Sequence, residues 1–273
     1  MPSRWKSISF TAHYTGQVWV RAGISGSEAF DTALGRLLRG ASVPVFALGR
    51  RLGYPSLEEL MLQRHRMIDA LVEELAPAQL VELAAGLSPR ATALAARRGI
   101  PCLEADLPDM VALKRELLGE RRPAGHQLAA LDLLASRDYA ADLGTALVAR
   151  APTVVVTEGL ITYFSLAQQE GIFARVAALL RHCGGGTYLA EAYHRELEAG
   201  LGVAARVVRW GVHTLSRTPE ATQIPNSATG VAMLRRAGFD RVALHRPADW
   251  TARLGLPPPS VEAGLVVYAA SVS

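Results

Sequence analysis

Lysine is almost absent from this chain. Lys6 and Lys114 are the only two among 29 basic residues, so arginine carries most of the positive charge and the formal net charge of +4. The arginines fall in ones and twos, as at Arg50-Arg51, Arg97-Arg98, Arg121-Arg122 and Arg235-Arg236. A nucleic-acid footprint needs a clustered basic stripe, so a nucleic-acid partner is not expected. Cysteine is equally scarce. Cys102 and Cys183 stand alone, outside any CxxC, which excludes a disulfide framework and a cysteine-ligated metal cluster. No stretch reaches the roughly 18 uncharged apolar residues of a membrane span. The start, MPSRWKSISF, lacks the apolar segment of a secretory signal, so a cytoplasmic protein is expected, with no membrane partner. Aromatics are only 6% of residues, so Ala, Leu and Val must fill the core. Hydrophobic residues make up 50% of the 273, ample for a continuous core and contrary to intrinsic disorder. That length fits one large domain or a domain with an appended cap.

The chain changes character near Pro77. Before it, SISFTAHYTGQVWV reads as an irregular arm or short helix. Phe30, Leu34, Leu37 and Leu38 recur at helical spacing, and Pro44 is expected to interrupt that helix. Ser56 and Glu59 form a capping-box pattern before a helix whose apolar side runs from Leu57 to Leu75. We therefore assign 1–76 to an arm and helical cap, and 77–273 to the core unit.

After Pro77, short apolar runs alternate with helical stretches. Strands are expected at Leu80–Leu83, Ile100–Glu104, Gln127–Leu131, Val154–Thr157 and Thr187–Ala190. Helices are expected at Pro89–Arg98, Pro108–Leu118, Ser136–Arg150 and Leu166–His182. Such alternation builds βαβ units, a parallel sheet and helices on both faces. Right-handed crossovers put every strand's C-terminal end along one edge, where ligands bind. The last third reads as helices at Leu197–Arg217 and Asn226–Ala237, strands at Phe239–Leu244 and Leu265–Ser271, and a loop holding Trp250 and Pro257-Pro258-Pro259. The two strands suggest a closing hairpin at one sheet edge.

The segment VELAAGLSPRATALAARRGIPCLEADLPDMVALKR, residues 81–115, carries the most chemical information. A strand ends at Glu82-Leu83, a small-residue turn follows (Ala84, Ala85, Gly86), and a helix begins near Pro89. Such a turn lets a ligand approach the backbone, and the helix start offers free N–H donors. Glu104 follows Glu82 by 22 residues, where an acid can hold both hydroxyls of a ribose. The turn has one glycine rather than the GxGxxG that seats a pyrophosphate. A nucleoside ligand without phosphates fits better, pointing to S-adenosylmethionine (SAM) over a nicotinamide dinucleotide. Asp132 and Glu158 follow the third and fourth strands, so acids stand at four consecutive strand ends. That pattern suits a cationic, hydroxyl-rich, amine-bearing ligand; the alternative for any one acid is a helix cap.

These segments resemble the leucine carboxyl methyltransferase-like family of SAM-dependent methyltransferases, including its bacterial polyketide O-methyltransferase branch. The resemblance rests on QRHRMID (63–69), VELAAGLSPRA (81–91), LEADLPDMVALKR (103–115), LDLL (131–134) and TEGLITYF (157–164). AGFDRVAL (237–244) is similar to the end of many methyltransferase sheets. The resemblance implies a Rossmann-like class I methyltransferase fold, with a seven-stranded, mostly parallel sheet and an N-terminal helical cap. It also implies a cofactor site. Arg64 would pair with the methionine carboxylate, with Arg66 its rival. Glu82 and Gly86 would lie under the amino-acid moiety. Glu104 would take the ribose hydroxyls with Asp106 beside it. Asp132 and Leu133 would flank adenine, and Glu158 would sit near the ligand amine and sulfonium. Ala84 departs from the family's usual glycine, and Ser88-Pro89 from its usual Asp-Thr.

Methyl transfer is an in-line displacement, in which the protein supplies alignment and a dry site. A carboxylate acceptor needs no base, whereas an enol or phenol would profit from one. His194 after the fifth strand is the candidate base, and Tyr14 and Tyr163 are further candidate catalytic residues. His13 and Tyr193 are added pocket candidates. No metal is expected. The implied activity is O-methylation of a small-molecule carboxylate, enol or phenol in natural-product biosynthesis. The alternatives are methylation of a protein C-terminal carboxylate, and a SAM-fold protein with a non-methylating or scaffolding role. Oligomeric state is not legible.

Overall fold

The computed structural model describes residues 6–51, 57–194, 222–255 and 264–273. The expected helix Leu197–Arg217, the run Pro257-Pro258-Pro259 and the Ser56 cap lie outside the described residues. Three helices come first: α1 (Lys6–Arg21), α2 (Ala33–Arg51) and α3 (Leu57–Leu75), with a 3₁₀ turn at Ser27–Phe30. Then β1 (Gln79–Leu83), α4 (Arg90–Arg98), β2 (Cys102–Asp106), α5 (Pro108–Leu118), β3 (His126–Ala130) and α6 (Tyr139–Leu143) alternate. They are followed by β4 (Thr153–Thr157), α7 (Leu166–His182) and β5 (Gly186–Tyr193). Last come α8 (Ser227–Arg236), β6 (Arg241–His245), α9 (Pro247–Leu254) and β7 (Leu265–Val272).

The strands form one seven-stranded sheet in the order β3-β2-β1-β4-β5-β7-β6. The first five pair in parallel, and β7 runs antiparallel to both β5 and β6. The closing hairpin therefore exists, with β7 inserted and β6 at the edge. β1 and β4 are buried throughout, as parallel strands covered on both faces must be.

Side chains alternate between the two faces. Val81, Leu83, Leu103, Val155, Tyr188 and Tyr268 join the larger core with α6, α7 and α8. Leu80, Cys102, Val154, Val156, Leu189 and Val267 face α3 and α4 instead. That parity fixes where the acids point. Glu82 follows Leu80, Glu104 follows Cys102 and Glu191 follows Leu189, so all three face α3 and α4. The register sets Glu82 directly beside Glu104 on neighbouring strands.

Three expectations need correction, and one is resolved: of the two readings of the N-terminal arm the helix holds, at 16 residues. Its Val18 and Trp19 are buried against Met61 of α3, and Trp19 stacks on His65 with ring centroids 4.2 Å apart. Tertiary burial of an apolar stripe makes this helix, which weak local propensity did not announce. Pro44 does not end α2, which runs on to Arg51 and forfeits only the bond its missing N–H would donate. The helix expected at Ser136–Arg150 is a short α6, capped by Asp138 at its start and stopped at Gly144. Trp250 lies on helix α9, begun by Pro247, and is buried in the α3-side core rather than held in a loop. Among the described residues no helix is long and apolar enough to cross a membrane.

Candidate active site

The C-terminal edge of the sheet begins at the β1–α4 turn. Ala84 and Gly86 there both adopt left-handed backbone, with φ of 51° and 52°. A non-glycine residue in that region stores local strain, which clusters at ligand-binding turns. A Cβ on Gly86 would meet Ala12 of α1 at 3.4 Å, so α1 lies directly over the turn. Gly86 N–H donates to Asp106 Oδ2 at 2.7 Å, and Leu107 N–H donates to Asp106 Oδ1 at 2.7 Å. Burial pushes the Asp106 carboxyl up, against the pull of these two N–H donors. Asp106 ends β2 and remains half-buried at the rim.

Glu104 lies two residues deeper. It is 1% exposed, paired with Lys114 Nζ at 2.5 Å and 3.5 Å from His126 Nε2. Burial opposes its ionisation, but Lys114 and His126 prevail and hold it below the ordinary carboxylate range. Lys114 also donates to the Ser88 carbonyl at 2.7 Å, tying this pair to the turn. The structure therefore brings Asp106, not Glu104, to the edge.

A second, larger network fills the space between β1, β4, β5, α3 and α4. Arg90 of α4 reaches Glu82, Asp69 and Glu158, each at 2.6 Å. Glu158 also takes His65 Nδ1 at 2.9 Å and Arg64 Nε at 3.1 Å. Burial resists the Glu158 charge, yet His65, Arg90 and Arg64 together hold its carboxyl well below the usual range. Burial raises Glu82, with Arg90 opposing. Arg64 Nη1 lies 3.6 Å from Glu191, whose Oε1 accepts Gly159 N–H at 2.5 Å. Glu191 is 1% exposed, and burial pushes its carboxyl up to about 7 against Arg64. The Tyr193 hydroxyl bonds Arg64, and Tyr163 sits near Arg64 with a bond to Thr11 of α1.

Gly159 makes room for Arg64. A Cβ there would fall 2.8 Å from Arg64 Nη2, at φ +68°. Gly159→Ala should destabilise the fold by about 1–2 kcal/mol, the cost of a left-handed alanine. Urea unfolding checks this, and an unchanged midpoint would contradict the placement.

The remaining residues read from the sequence divide clearly. Asp132 is half-buried after β3 and caps the next turn, its Oδ1 accepting from Leu134 and Ala135 at 2.9 and 3.1 Å. Leu133 is buried, its carbonyl fixed by the Tyr139 hydroxyl at 2.8 Å and Arg175 at 3.0 Å. Arg66 is half-exposed on α3, while Arg64 is buried among acids. His194 belongs to the other face of the sheet. It is 1% exposed, its Nε2 lies 2.7 Å from the Tyr268 hydroxyl and its Nδ1 3.3 Å from Ser227 Oγ. Burial lowers its pKa to about 4. Tyr14 faces Ser42, Glu58 and Arg39 within the helical layer, and burial pushes it up to about 12. His13 bonds Thr32 at 2.9 Å. Among the described residues, no group of three or more His, Cys, Asp or Glu is set to hold a metal ion.

Sequence reasoning missed Arg90, His65, Asp69, Lys114 and Glu191. The first four lie inside the family-like stretches QRHRMID, VELAAGLSPRA and LEADLPDMVALKR, where only some residues received roles. Glu191 left a weaker signal, one acid in an apolar strand.

A sheet of this order, with acids gathered at the carboxyl edge beside a left-handed turn, is the class I SAM-methyltransferase fold. The chain belongs to the leucine carboxyl methyltransferase family, whose model matches residues 38–177. It is 28% identical over 218 residues, 76% of this chain and 70% of the relative, to a Mycobacterium sp. (strain JLS) protein provisionally named an S-adenosyl-L-methionine-dependent methyltransferase. A provisionally described methyltransferase from Thermobifida fusca YX matches with TM-score 0.58 and 14% identity, over 95% of this chain and 93% of that one. A provisionally described O-methyltransferase from Nostoc punctiforme PCC 73102 matches with TM-score 0.51 and 15% identity, over 76% of this chain. The present chain spans 55% of that structure's length.

Proposed function

We propose that this protein is a SAM-dependent O-methyltransferase acting on a small-molecule carboxylate. The observation that carries the reading is the set of acids on one edge beside the Gly86 turn: Asp106 at the end of β2, and Asp132 and Glu158 after β3 and β4. The edge suits the cofactor. Asp106 keeps lone pairs for the ribose hydroxyls after accepting two backbone N–H groups. Asp132 keeps Oδ2 for the adenine amino group, beside the fixed backbone of Leu133. Arg64 offers a guanidinium for the methionine carboxylate, with Glu158 and Gly86 adjoining. Glu104 and Glu82 act one layer below, as partners of Lys114 and Arg90 that hold the turn and α4 in place. SAM supplies an electrophilic methyl group on a sulfonium.

The chain's own residues orient and desolvate. α1 lies over the Gly86 turn and leaves it half-buried. Tyr163 and Tyr193 place hydroxyls beside Arg64, where they would orient an acceptor. His194, tied to Tyr268 on the opposite face, is poorly placed to take a proton here. That favours an acceptor already nucleophilic at neutral pH, which a carboxylate is. It also accords with the carboxyl chemistry in the family's name. The close contact of α1 with the turn suits a closed pocket and a small acceptor better than an open groove for a protein terminus. A role in natural-product biosynthesis and a cytoplasmic setting complete the proposal.

Calorimetry with S-adenosylhomocysteine (SAH) tests it. The wild type should bind, and absence of binding to SAH and SAM would overturn the proposal. Asp106→Ala should weaken SAH by more than about tenfold, the order expected for losing charge-assisted hydrogen bonds. Arg64→Ala should weaken it more than Arg66→Ala. An unchanged Asp106→Ala affinity would remove that residue from the ribose.

A further inference from the structure

Glu191 occupies an unusual position in the Arg64 network. Its Oε1 is committed to Gly159 N–H and faces Arg64. Its Oε2 is buried and has no hydrogen-bond partner among the described residues. Every other carboxylate near Arg64 is better served. Glu158 has one oxygen on Arg64 and the other on both His65 and Arg90. Arg64 thus already balances Glu158 and Glu191 before any ligand arrives. The groups facing Glu191 are Arg64 from α3, Glu158 after β4, Tyr163 from the following turn and Tyr193 from its own strand, while Tyr188 of that strand lies on the opposite face within electrostatic range. On the β7 side its register partner is the apolar Val267. Arg64 is the one cation of this set.

We propose that Glu191 is a cofactor-binding residue that takes up a proton on Oε2 when the ligand's α-carboxylate seats on Arg64, and then donates that hydrogen to the bound carboxylate. This rests on the SAM reading above and deepens it. A third carboxylate on Arg64 would leave Glu191 as the acid of this set without a second cation, since Glu158 also has Arg90 at 2.6 Å and the ligand's α-ammonium would lie on the Glu158 side. Like charges that close cannot all stay ionised, and the acid with the fewest donors yields first. Glu158 has three donor contacts from three side chains, so the proton goes to Glu191. Oε1 is filled by N–H donors, which leaves Oε2 as the protonated oxygen. The step balances simply: buffer acid loses H⁺, Glu191 gains it, and no other bond forms or breaks. An apo carboxyl near 7 is poised for this, since a modest added field moves it across neutral pH.

Calorimetry at pH about 8, in buffers of different ionisation enthalpy, reads the proton count directly. SAH binding to the wild type should take up roughly half a proton or more, and its affinity should fall as pH rises, because the bound state holds more protons. 5′-Methylthioadenosine, which lacks the amino-acid part, should bind without uptake. Glu191→Gln carries a permanent donor and should bind SAH with no uptake and a flatter pH dependence; Glu191→Asp should restore part of the uptake. SAH binding with no uptake in the wild type, undiminished uptake in Glu191→Gln, or equal uptake with 5′-methylthioadenosine would each overturn the proposal. Failure of SAH to bind at all would instead overturn the methyltransferase reading.

Discussion

Replacing Arg90 by methionine should cost about 3–5 kcal/mol of unfolding free energy, the scale for removing one partner of a buried ion pair. Arg90 is the only cation bonded to Glu82 among the described residues, and Glu82 Oε2 already lacks a partner. Without the guanidinium, Glu82 is a buried charge beside Glu104 on the next strand. Glu158 loses a donor as well, though Arg64 and His65 remain. The double variant Glu82→Gln with Arg90→Met should recover part of the loss, because it removes the orphaned charge together with its partner. Urea unfolding of both variants checks this. A single variant within about 1 kcal/mol of wild type would show that Arg90 does not neutralise these acids. Methionine keeps most of the buried stem, so lost packing alone is a poor explanation of a large effect.

Lys114→Met should be nearly as damaging, about 3 kcal/mol at neutral pH. It strips Glu104 of its close cation and frees the Ser88 carbonyl that Lys114 holds at 2.7 Å. Lys114 also lies 5.1 Å from the centre of the Phe30 ring, so the 3₁₀ turn under α1 loses a contact. The pH dependence carries the sharper signature. In the wild type the Glu104 carboxyl is held low, so its stabilising contribution is present above the ordinary carboxylate range and fades as pH falls. In the variant only His126 remains to oppose burial, so the Glu104 carboxyl moves up. Acidification then neutralises the orphan, and the gap to wild type narrows. A deficit that stays constant from neutral to acidic pH would point to packing rather than charge.

Elements with strong local signals were legible from the residues alone. α5 and α7 begin and end where the sequence places them, because Pro108 opens one and the Ser165–Gln168 capping box opens the other. β4 is a run of β-branched residues that fits only a strand buried on both faces. The weak points were elements made by distant partners. α1 depends on α3 through Trp19 and His65, and α9 depends on Trp250 finding the α3-side core. β5 was read three residues short at its end, which left Glu191 outside the strand. Read as a strand residue, Glu191 faces Arg64, while His194 falls on the Tyr268 face.

The sequence alone determined the βαβ order, the small-residue turn after β1, the acids near strand ends and the family resemblance, because each is a pattern of neighbours along the chain. Only the tertiary structure decided which acids reach the rim and which are neutralised beneath it. Register placed Glu82 against Glu104, strand parity turned both toward α3 and α4, and the helices brought Arg90 and Lys114 back across the sheet to meet them. Charges that close, out of water, cannot be left unpaired, and their partners lie many residues away in helices whose packing no local pattern specifies.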